Sequence, residues 1–356
     1  MNKKIRILHL LCSDRFSGAE NVVCQIVKMF DNIKEFEMIY ASPDGQIRKA
    51  LKERGVSFFA IKSVTPSEFK RVIFEIKPDI IHAHDMKASF LVAMTCGKIP
   101  LVSHIHNNNF DARKLTIKAV LYKFAARKAK HIFWVSQSSF EGYCFHKDFV
   151  GKSTILYNVI DRAQLLKKAQ NAECADSYDI VYLGRLTEQK NPQRLISILE
   201  RITSVKSDLQ VAIIGSGELE NIVRDLIEEK KLKKNLHMLG FMSNPYGILQ
   251  NANLMIMTSR WEGTPMCALE AMALGVPIVS TPTDGLKELV VQGETGYLVE
   301  SDEVFAEMCC KILMNQENQK YLSKRAIERS IELMDLVKYK NELLYVYKKC
   351  VGEGGE

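Results

Sequence analysis

Apolar residues in this chain fall in short, Val- and Ile-rich runs separated by longer stretches of helical period. The first half carries IRILHLL, FEMIYAS, SFFAIK, IIHAH, LVSHIH and HIFWVS, closed by STILYN. The second carries DIVYLGR, LQVAIIG, NLHMLGF, ANLMIMTS, PIVST and GYLVE. Helical segments such as AENVVCQIVKMF and ASFLVAMTCG lie between them. Strands covered on both faces read as near-continuous apolar runs, and helices between them impose parallel pairing. The pattern predicts an α/β chain of two Rossmann-like, doubly wound parallel-sheet domains. The first spans residues 1–158. A polar join begins at LYNVIDRAQLLKKAQNAECADSYD, and the second domain spans 159–335. MDLVKYKNELLYVYKKC, within 336–356, reads as a terminal amphipathic helix, and the GEGGE tail as frayed.

Composition agrees with this picture. A chain of 356 residues suits two cores, and 47% apolar with 26% charged residues is ordinary for a soluble globular protein. No apolar run approaches the ~18 residues of a membrane span. The opening MNKKIRILHLLCS is broken by Arg6 and His9 and reads as a buried strand, not a signal peptide. Nine scattered cysteines without a CxxC fit free thiols in a reducing compartment.

Charge adds an asymmetry. Residues 1–158 hold 25 Lys+Arg against 14 Asp+Glu and the remainder 24 against 28, so the halves carry +11 and −4. A basic half attracts anionic lipid, a phosphorylated acceptor or nucleic acid. DARKLTIKAVLYKFAARKAKH (111–131) mixes seven Lys/Arg with an apolar stripe. It reads either as a surface helix packed on a core or as a helix lying on an anionic membrane. The aromatic interleaving of a nucleic-acid platform is missing.

Open α/β sheets bind ligands at the carboxyl ends of their strands. In WEGTPMCALEAMALG (261–275), Glu262 and Glu270 are eight positions apart, about 80° beyond two helical turns. Glu262 is therefore expected in a loop after a strand, and Glu270 in a helix starting near Pro265-Met266. Carboxylates there can accept hydrogen bonds from sugar or ribose hydroxyls, or simply cap the helix. In GRLTEQKNP (184–192), Arg185 and Lys190 can clamp a diphosphate or stand as solvated charges. IIGSGELEN holds Gly215 in a Gly-x-Gly turn, a weak phosphate or ribose signal lacking a third glycine. RFSGAEN places Gly18 and Glu20 after the first strand, with Ser17 as an alternative plain N-cap. Of the histidines in IIHAH and LVSHIHNNN, His82 and His104 are expected to pack within strands. His106, before Asn107–Asn109, stands at a strand end where a ligand can reach it. Several histidines make zinc conceivable, but no Glu or Cys falls at a convincing ligand spacing. No Asp-x-Asp occurs to bridge a metal to a diphosphate. The expectation is no metal and no cofactor.

Assembled, these motifs resemble the family-4 retaining glycosyltransferases of GT-B fold, over essentially the whole chain. The most specific part is 181–299, where VYLGRLTEQKNP, IIGSGELEN, LGF, TSRWEGTPMCALEAMALGVPIVST and DGLKELVVQGETGYLV run in the family's order. The resemblance implies two Rossmann-like domains facing a cleft, with the terminal helix crossing back to the first. It implies a nucleotide-sugar donor held by the second domain, with Arg185 and Lys190 on the diphosphate. Glu262 would contact the donor sugar, with Gly263, Thr264, Pro265, Met266 and Cys267 around it. Glu270 would hold the ribose, and Gly184 and Gly215 would line the same site. From the first domain, Gly18 would approach the phosphate. His106 would serve the transferred sugar, with Ser17, Glu20 and Asn107 on the acceptor side. Two departures stand out: the usual Gly-Gly-Ala/Thr-Glu loop is Ser17-Gly18-Ala19-Glu20, and the usual Gly-Gly before Glu288 is Asp284-Gly285.

The function so implied is transfer, with retention, from a nucleotide sugar (a UDP-sugar being the commonest family choice) to a saccharide or lipid-linked saccharide. Bacterial surface polysaccharide synthesis, capsule or lipopolysaccharide, fits this. The expected partners are the donor, the acceptor and an anionic membrane contacted peripherally, without nucleic acid. The expected place is the cytoplasm, at the inner face of the membrane. A nucleotide-sugar 2-epimerase and a non-catalytic nucleotide-binding protein are the alternatives.

Overall fold

The computed structural model describes residues 4–108, 110–172 and 177–352. Residues 1–3, Asn109, residues 173–176 of the expected join and the tail 353–356 lie outside it. The chain divides into two compact units. One runs to Asn158 and takes in the chain from Leu336 onward; the other is Val159–Asp335.

Among the described residues, the first unit holds seven strands: β1 (Ile5–Leu10), β2 (Phe36–Pro43), β3 (Phe58–Ile61), β4 (Ile80–His84), β5 (Leu101–Ile105), β6 (His131–Trp134) and β7 (Ser153–Ile155). The second holds six: β8 (Ile180–Leu183), β9 (Val211–Ile214), β10 (Leu236–Gly240), β11 (Leu254–Met257), β12 (Ile278–Ser280) and β13 (Gly296–Leu298). The sheet orders are β3-β2-β1-β4-β5-β6-β7 and β10-β9-β8-β11-β12-β13, and the pairings are parallel. In each sheet the order reverses beside the first strand, β1 or β8, which opens a crevice at the carboxyl ends there.

Alternation within the first sheet separates two faces. Leu8, Leu10, Ile81, Ala83, Leu101 and Ile105 pack under the helices Pro66–Ile76, Asp85–Thr95 and Ile117–Lys128. The opposite face carries Tyr40 beneath the helices Gly18–Phe30 and Ile47–Glu53. It also carries His9, His82 and His104, and the terminal helix Leu336–Cys350 seals it through Tyr347, whose ring meets Phe30, Phe36 and His82. In the second unit, the helix Pro192–Val205 buries Leu195, Ile196, Ile198, Leu199 and Ile202 against β8, β9 and β11. The helix Met266–Ala273 is buried along almost its whole length.

The stretch 111–131 is not one helix. A 3₁₀ turn Phe110–Arg113 comes first, and the helix Ile117–Lys128 then starts behind Thr116, whose hydroxyl accepts from the Ala119 amide at 3.2 Å. Thr116 competes for the backbone and resets the start, as N-capping residues do. Among the described residues, no helix is long and apolar enough to cross a membrane.

Candidate functional site

In the second unit the loops after β8, β9 and β11 are laced together. The Gly184 amide donates to Ile214 O at 3.0 Å, and the Leu186 amide to Ser216 O at 3.0 Å. Gly215 has φ +135°, and a Cβ there would fall 2.0 Å from Gly184 O, so this crossing admits only glycine. The next loop is held by Gln189, whose backbone carbonyl accepts from the Arg260 amide at 2.8 Å and whose side chain donates to Trp261 O at 3.0 Å. These contacts bring Lys190 beneath Glu262.

Lys190 and Glu262 form a buried ion pair. The Lys190 ammonium donates to Glu262 Oε1 at 2.5 Å, with side-chain exposures of 13% and 5%. Burial opposes the ammonium's charge, but the Glu262 carboxylate more than offsets this and holds the Lys190 pKa above the usual lysine range. Asn191 follows at φ +51°, a left-handed residue that lets the chain turn into the helix Pro192–Val205. Arg185 is exposed, with its guanidinium 3.4 Å from Gln189 Oε1.

Pro265 caps the helix Met266–Ala273, which places Glu262 in the preceding loop and Glu270 inside the helix. Glu270 is buried and accepts from the Tyr246 hydroxyl at 2.9 Å. Cys267 lies close enough to Lys190, Glu262 and Glu270 for their charges to act on it; burial pushes its thiol up to about 12. Lys190, Glu262, Cys267 and Glu270 thus share one neighbourhood, with Gly263, Thr264, Pro265 and Met266 buried around them. A Cβ on Gly285 would meet Gly263 O at 1.3 Å. Of the two glycines usual at this place, Gly285 is therefore the one this contact demands, and Asp284 is accommodated.

In the first unit Ser17 precedes the helix Gly18–Phe30 in extended conformation. The buried Glu20 carboxylate accepts from the Ser17 amide at 3.0 Å and from its hydroxyl. Burial raises the Glu20 pKa against those hydrogen bonds. The plain capping reading of Ser17 and Glu20 thus has a geometric basis, while Gly18 is left exposed. Asn107 is exposed too. His106 stands one residue past β5, but it is only 6% exposed, and its Nε2 lies 2.8 Å from His84 Nδ1.

Sequence reasoning missed what surrounds His106. His9, His82, His84, His104 and His106 form one buried cluster, with His9 beside His82 and His84 beside His104 across adjacent strands. Burial depresses all five: His9 and His106 go down to about 3, and the other three, pushed further by neighbouring histidines, fall well below the usual range. All five are neutral at neutral pH. Asp85 follows β4 at φ +68°, rare for a residue with a side chain, and its Oδ1 accepts from the His106 amide at 3.0 Å. Burial raises its carboxyl to about 6. A strained carboxylate of this kind at a strand end marks a functional candidate, and its only sequence signal is the Asp that ends IIHAHD.

Residues 164–329 match the family described as glycosyl transferases group 1, and residues 16–164 match glycosyltransferase family 4. An uncharacterized glycosyltransferase of Methanocaldococcus jannaschii is 29% identical over 288 residues, 72% of this chain and 71% of the relative. The UDP-Gal:α-D-GlcNAc-diphosphoundecaprenol α-1,3-galactosyltransferase of Escherichia coli is 24% identical over 336 residues, 85% and 86% of the two chains. The Anabaena HepE structure in complex with UDP-glucose superposes with TM-score 0.83 at 20% identity, covering 97% of this chain and 99% of that one. The two family matches adjoin along the chain, and this protein belongs to the family-4, group 1 glycosyltransferases of GT-B fold. It is a glycosyltransferase.

The buried pair makes a stability prediction. Removing one partner of a buried ion pair costs about 3–5 kcal/mol, because the other charge is stranded, whereas an apolar replacement of both is often neutral. Lys190→Met should lose that amount in denaturant unfolding of the ligand-free protein, and Lys190→Met/Glu262→Leu should regain most of it. A double variant no more stable than the single one would show that Lys190 is not what balances Glu262.

Proposed function

We propose that this transferase moves a hexosyl group from a UDP-sugar to a lipid-linked saccharide, with retention at the anomeric carbon. The observation that carries this reading is the Lys190–Glu262 pair, set beside Cys267 and Glu270 at the carboxyl ends of β8 and β11. An incoming diphosphate competes for the Lys190 ammonium. As Lys190 turns to phosphate oxygens, the Glu262 carboxylate is released to accept hydrogen bonds from the sugar. One substrate thereby replaces an internal ion pair with two contacts of its own. Arg185 adds a second cation, so the negative charge on the leaving diphosphate is met by side chains without a metal. Glu270, oriented by the Tyr246 hydroxyl, accepts from the ribose hydroxyls.

In the transfer step the bond from C1 to the phosphate oxygen breaks, and its electron pair stays on the diphosphate. The acceptor hydroxyl oxygen bonds to C1 on the same face and gives its proton to the departing phosphate oxygen. Glu262 is a recognition group in this scheme, not the covalent nucleophile of retaining hydrolases. Ser17, Gly18, Glu20, His106 and Asn107 remain acceptor-side candidates on their motif match. UDP-galactose in the name of the E. coli relative and UDP-glucose in the Anabaena complex support a uridine donor. Diphosphoundecaprenol in the same E. coli name, and relatives named for capsular polysaccharide biosynthesis in Staphylococcus aureus, support a lipid-linked acceptor in surface polysaccharide assembly.

The helix Ile117–Lys128 supports work at a membrane. One side buries Ala119, Tyr122, Ala125 and Ala126. Ile117, Val120, Leu121 and Phe124 form a second stripe, at i, i+3, i+4 and i+7, which is exposed; Leu115 extends it. Lys114, Lys118, Arg127 and Lys128 flank it. An exposed apolar stripe bordered by cations fits an anionic bilayer, here the cytoplasmic leaflet where the lipid-linked acceptor would be presented.

Three experiments test these readings. A thermal-shift panel of UDP-, GDP-, ADP- and TDP-sugars should give a rise for the UDP class alone, unchanged by EDTA. In steady-state kinetics Lys190→Ala and Glu262→Ala should lower kcat by about 100-fold, while Glu270→Ala should mainly raise the donor KM. If all three variants changed KM alone, the assignment of roles would fail. Sedimentation with anionic liposomes at about 0.1 M salt should capture the protein, and Ile117→Asp/Leu121→Asp should release it. Equal capture of wild type and variant would remove this helix from the membrane reading.

A further inference from the structure

The five buried histidines have an uncommon balance of partners. Of their ten ring nitrogens, five are accounted for by three contacts: His9 Nδ1 with His84 Nε2 at 3.1 Å, His84 Nδ1 with His106 Nε2 at 2.8 Å, and His82 Nδ1 with the Tyr347 hydroxyl at 2.7 Å. The other five, His9 Nε2, His82 Nε2, His106 Nδ1 and both nitrogens of His104, are buried without a hydrogen-bond partner. Among the described residues none of the five rings is bonded to a carboxylate or a backbone carbonyl. Packing alone does not account for such a cluster, since an apolar side chain would fill the same space without stranding polar atoms.

The strand geometry gathers these nitrogens. Residues two apart on a strand share a face, so His82 with His84 and His104 with His106 project to the same side. Register sets His84 beside His104. One ring nitrogen each from His84, His104 and His106 lies within 4.8 Å of the other two. Tetrahedral zinc, at about 2.0–2.1 Å from each imidazole, needs nitrogens about 3.3–3.4 Å apart, a distance that small ring rotations reach from here.

We propose that His84, His104 and His106 form a binding site for one divalent transition-metal ion, zinc foremost. Three neutral imidazoles suit zinc, cobalt, nickel or copper and not magnesium or calcium, so the site is chemically distinct from any hard-cation site on a diphosphate. His84 has the outer partner that ligating histidines commonly have: with Nδ1 turned to the ion, Nε2–H donates to His9 Nδ1, which fixes its tautomer and orientation. His106, at the end of the cluster past β5, offers the entry. Three protein ligands leave one position for water or another group. The ion would tie the ends of β4 and β5 together. The absence of a Glu or Cys ligand at a suitable spacing spoke against metal in the sequence, but these ligands are histidines alone, brought together by cross-strand register. The inference does not rest on the transferase chemistry.

The test uses the full chain, stripped with a chelator and titrated with zinc alone. Competition against a chromophoric chelator and elemental analysis after gel filtration should give one zinc per chain with Kd below about 1 µM. Cobalt(II) should give the intense visible d–d bands of tetrahedral nitrogen ligation, without a thiolate charge-transfer band. His104→Phe, which keeps an aromatic ring in the stack, should weaken zinc binding by at least about 100-fold, and His82→Phe should leave it unchanged. His106→Asn provides a second variant should His104→Phe not fold. Failure of the wild type to bind zinc would overturn the proposal. So would undiminished binding by His104→Phe or His106→Asn, or loss on His82→Phe instead.

Discussion

A parallel strand cannot return by a tight turn. Each strand in these two sheets must be left by a crossover, so each chain exit lies at the same edge as the one before. The functional geometry follows from that constraint. The strands β1 to β13 deliver loops to the carboxyl edges of their sheets, and reversal of strand order beside β1 and β8 keeps the adjoining loops from closing over one another. Residues far apart in sequence then become neighbours: Lys190 and Glu262 leave β8 and β11 from adjacent positions, and His84 and His106 leave β4 and β5 in the same manner.

What is built at those edges is electrostatically expensive. A buried ion pair contributes little to stability relative to apolar packing. On the reading proposed above, Lys190 and Glu262 are a site kept neutral until a charged ligand arrives, not a structural rivet. Cys267 fits the same view. Its thiol is held protonated beside two carboxylates and a lysine, so it fills space there without adding charge. The glycines of this region have a narrower task. Gly215 and Gly285 let one loop backbone lie directly on another, at Gly184 and Gly263, which fixes the loops carrying the charged groups.

Much of this was legible in the sequence. Each of the thirteen apolar runs contains a strand, because a strand covered on both faces leaves an unbroken Val- and Ile-rich signature. The placement of Glu262 in a loop and Glu270 in a helix followed from their eight-residue spacing and the Gly-Thr-Pro between them. Other features could not be read. IIHAH and LVSHIH each show histidines two apart, but alignment of the two segments with each other and with His9 depends on register across three strands. The Tyr246–Glu270 hydrogen bond likewise joins positions 24 residues apart, and no local pattern carries such a contact. Thr116 divided a segment that charge and apolar spacing alone made continuous.

The terminal helix Leu336–Cys350 carries a consequence for the order of assembly. Tyr347 closes the histidine-bearing face of the first unit, yet it follows Asn158 by about 190 residues of chain. At a synthesis rate of about 5–20 residues per second, roughly 10–40 s separate the two. Through that interval the first unit to leave the ribosome has one face unsealed, while the whole of the second unit emerges. The first unit is thus finished only after the second has been made, and the helix Leu336–Cys350 is the element that completes it.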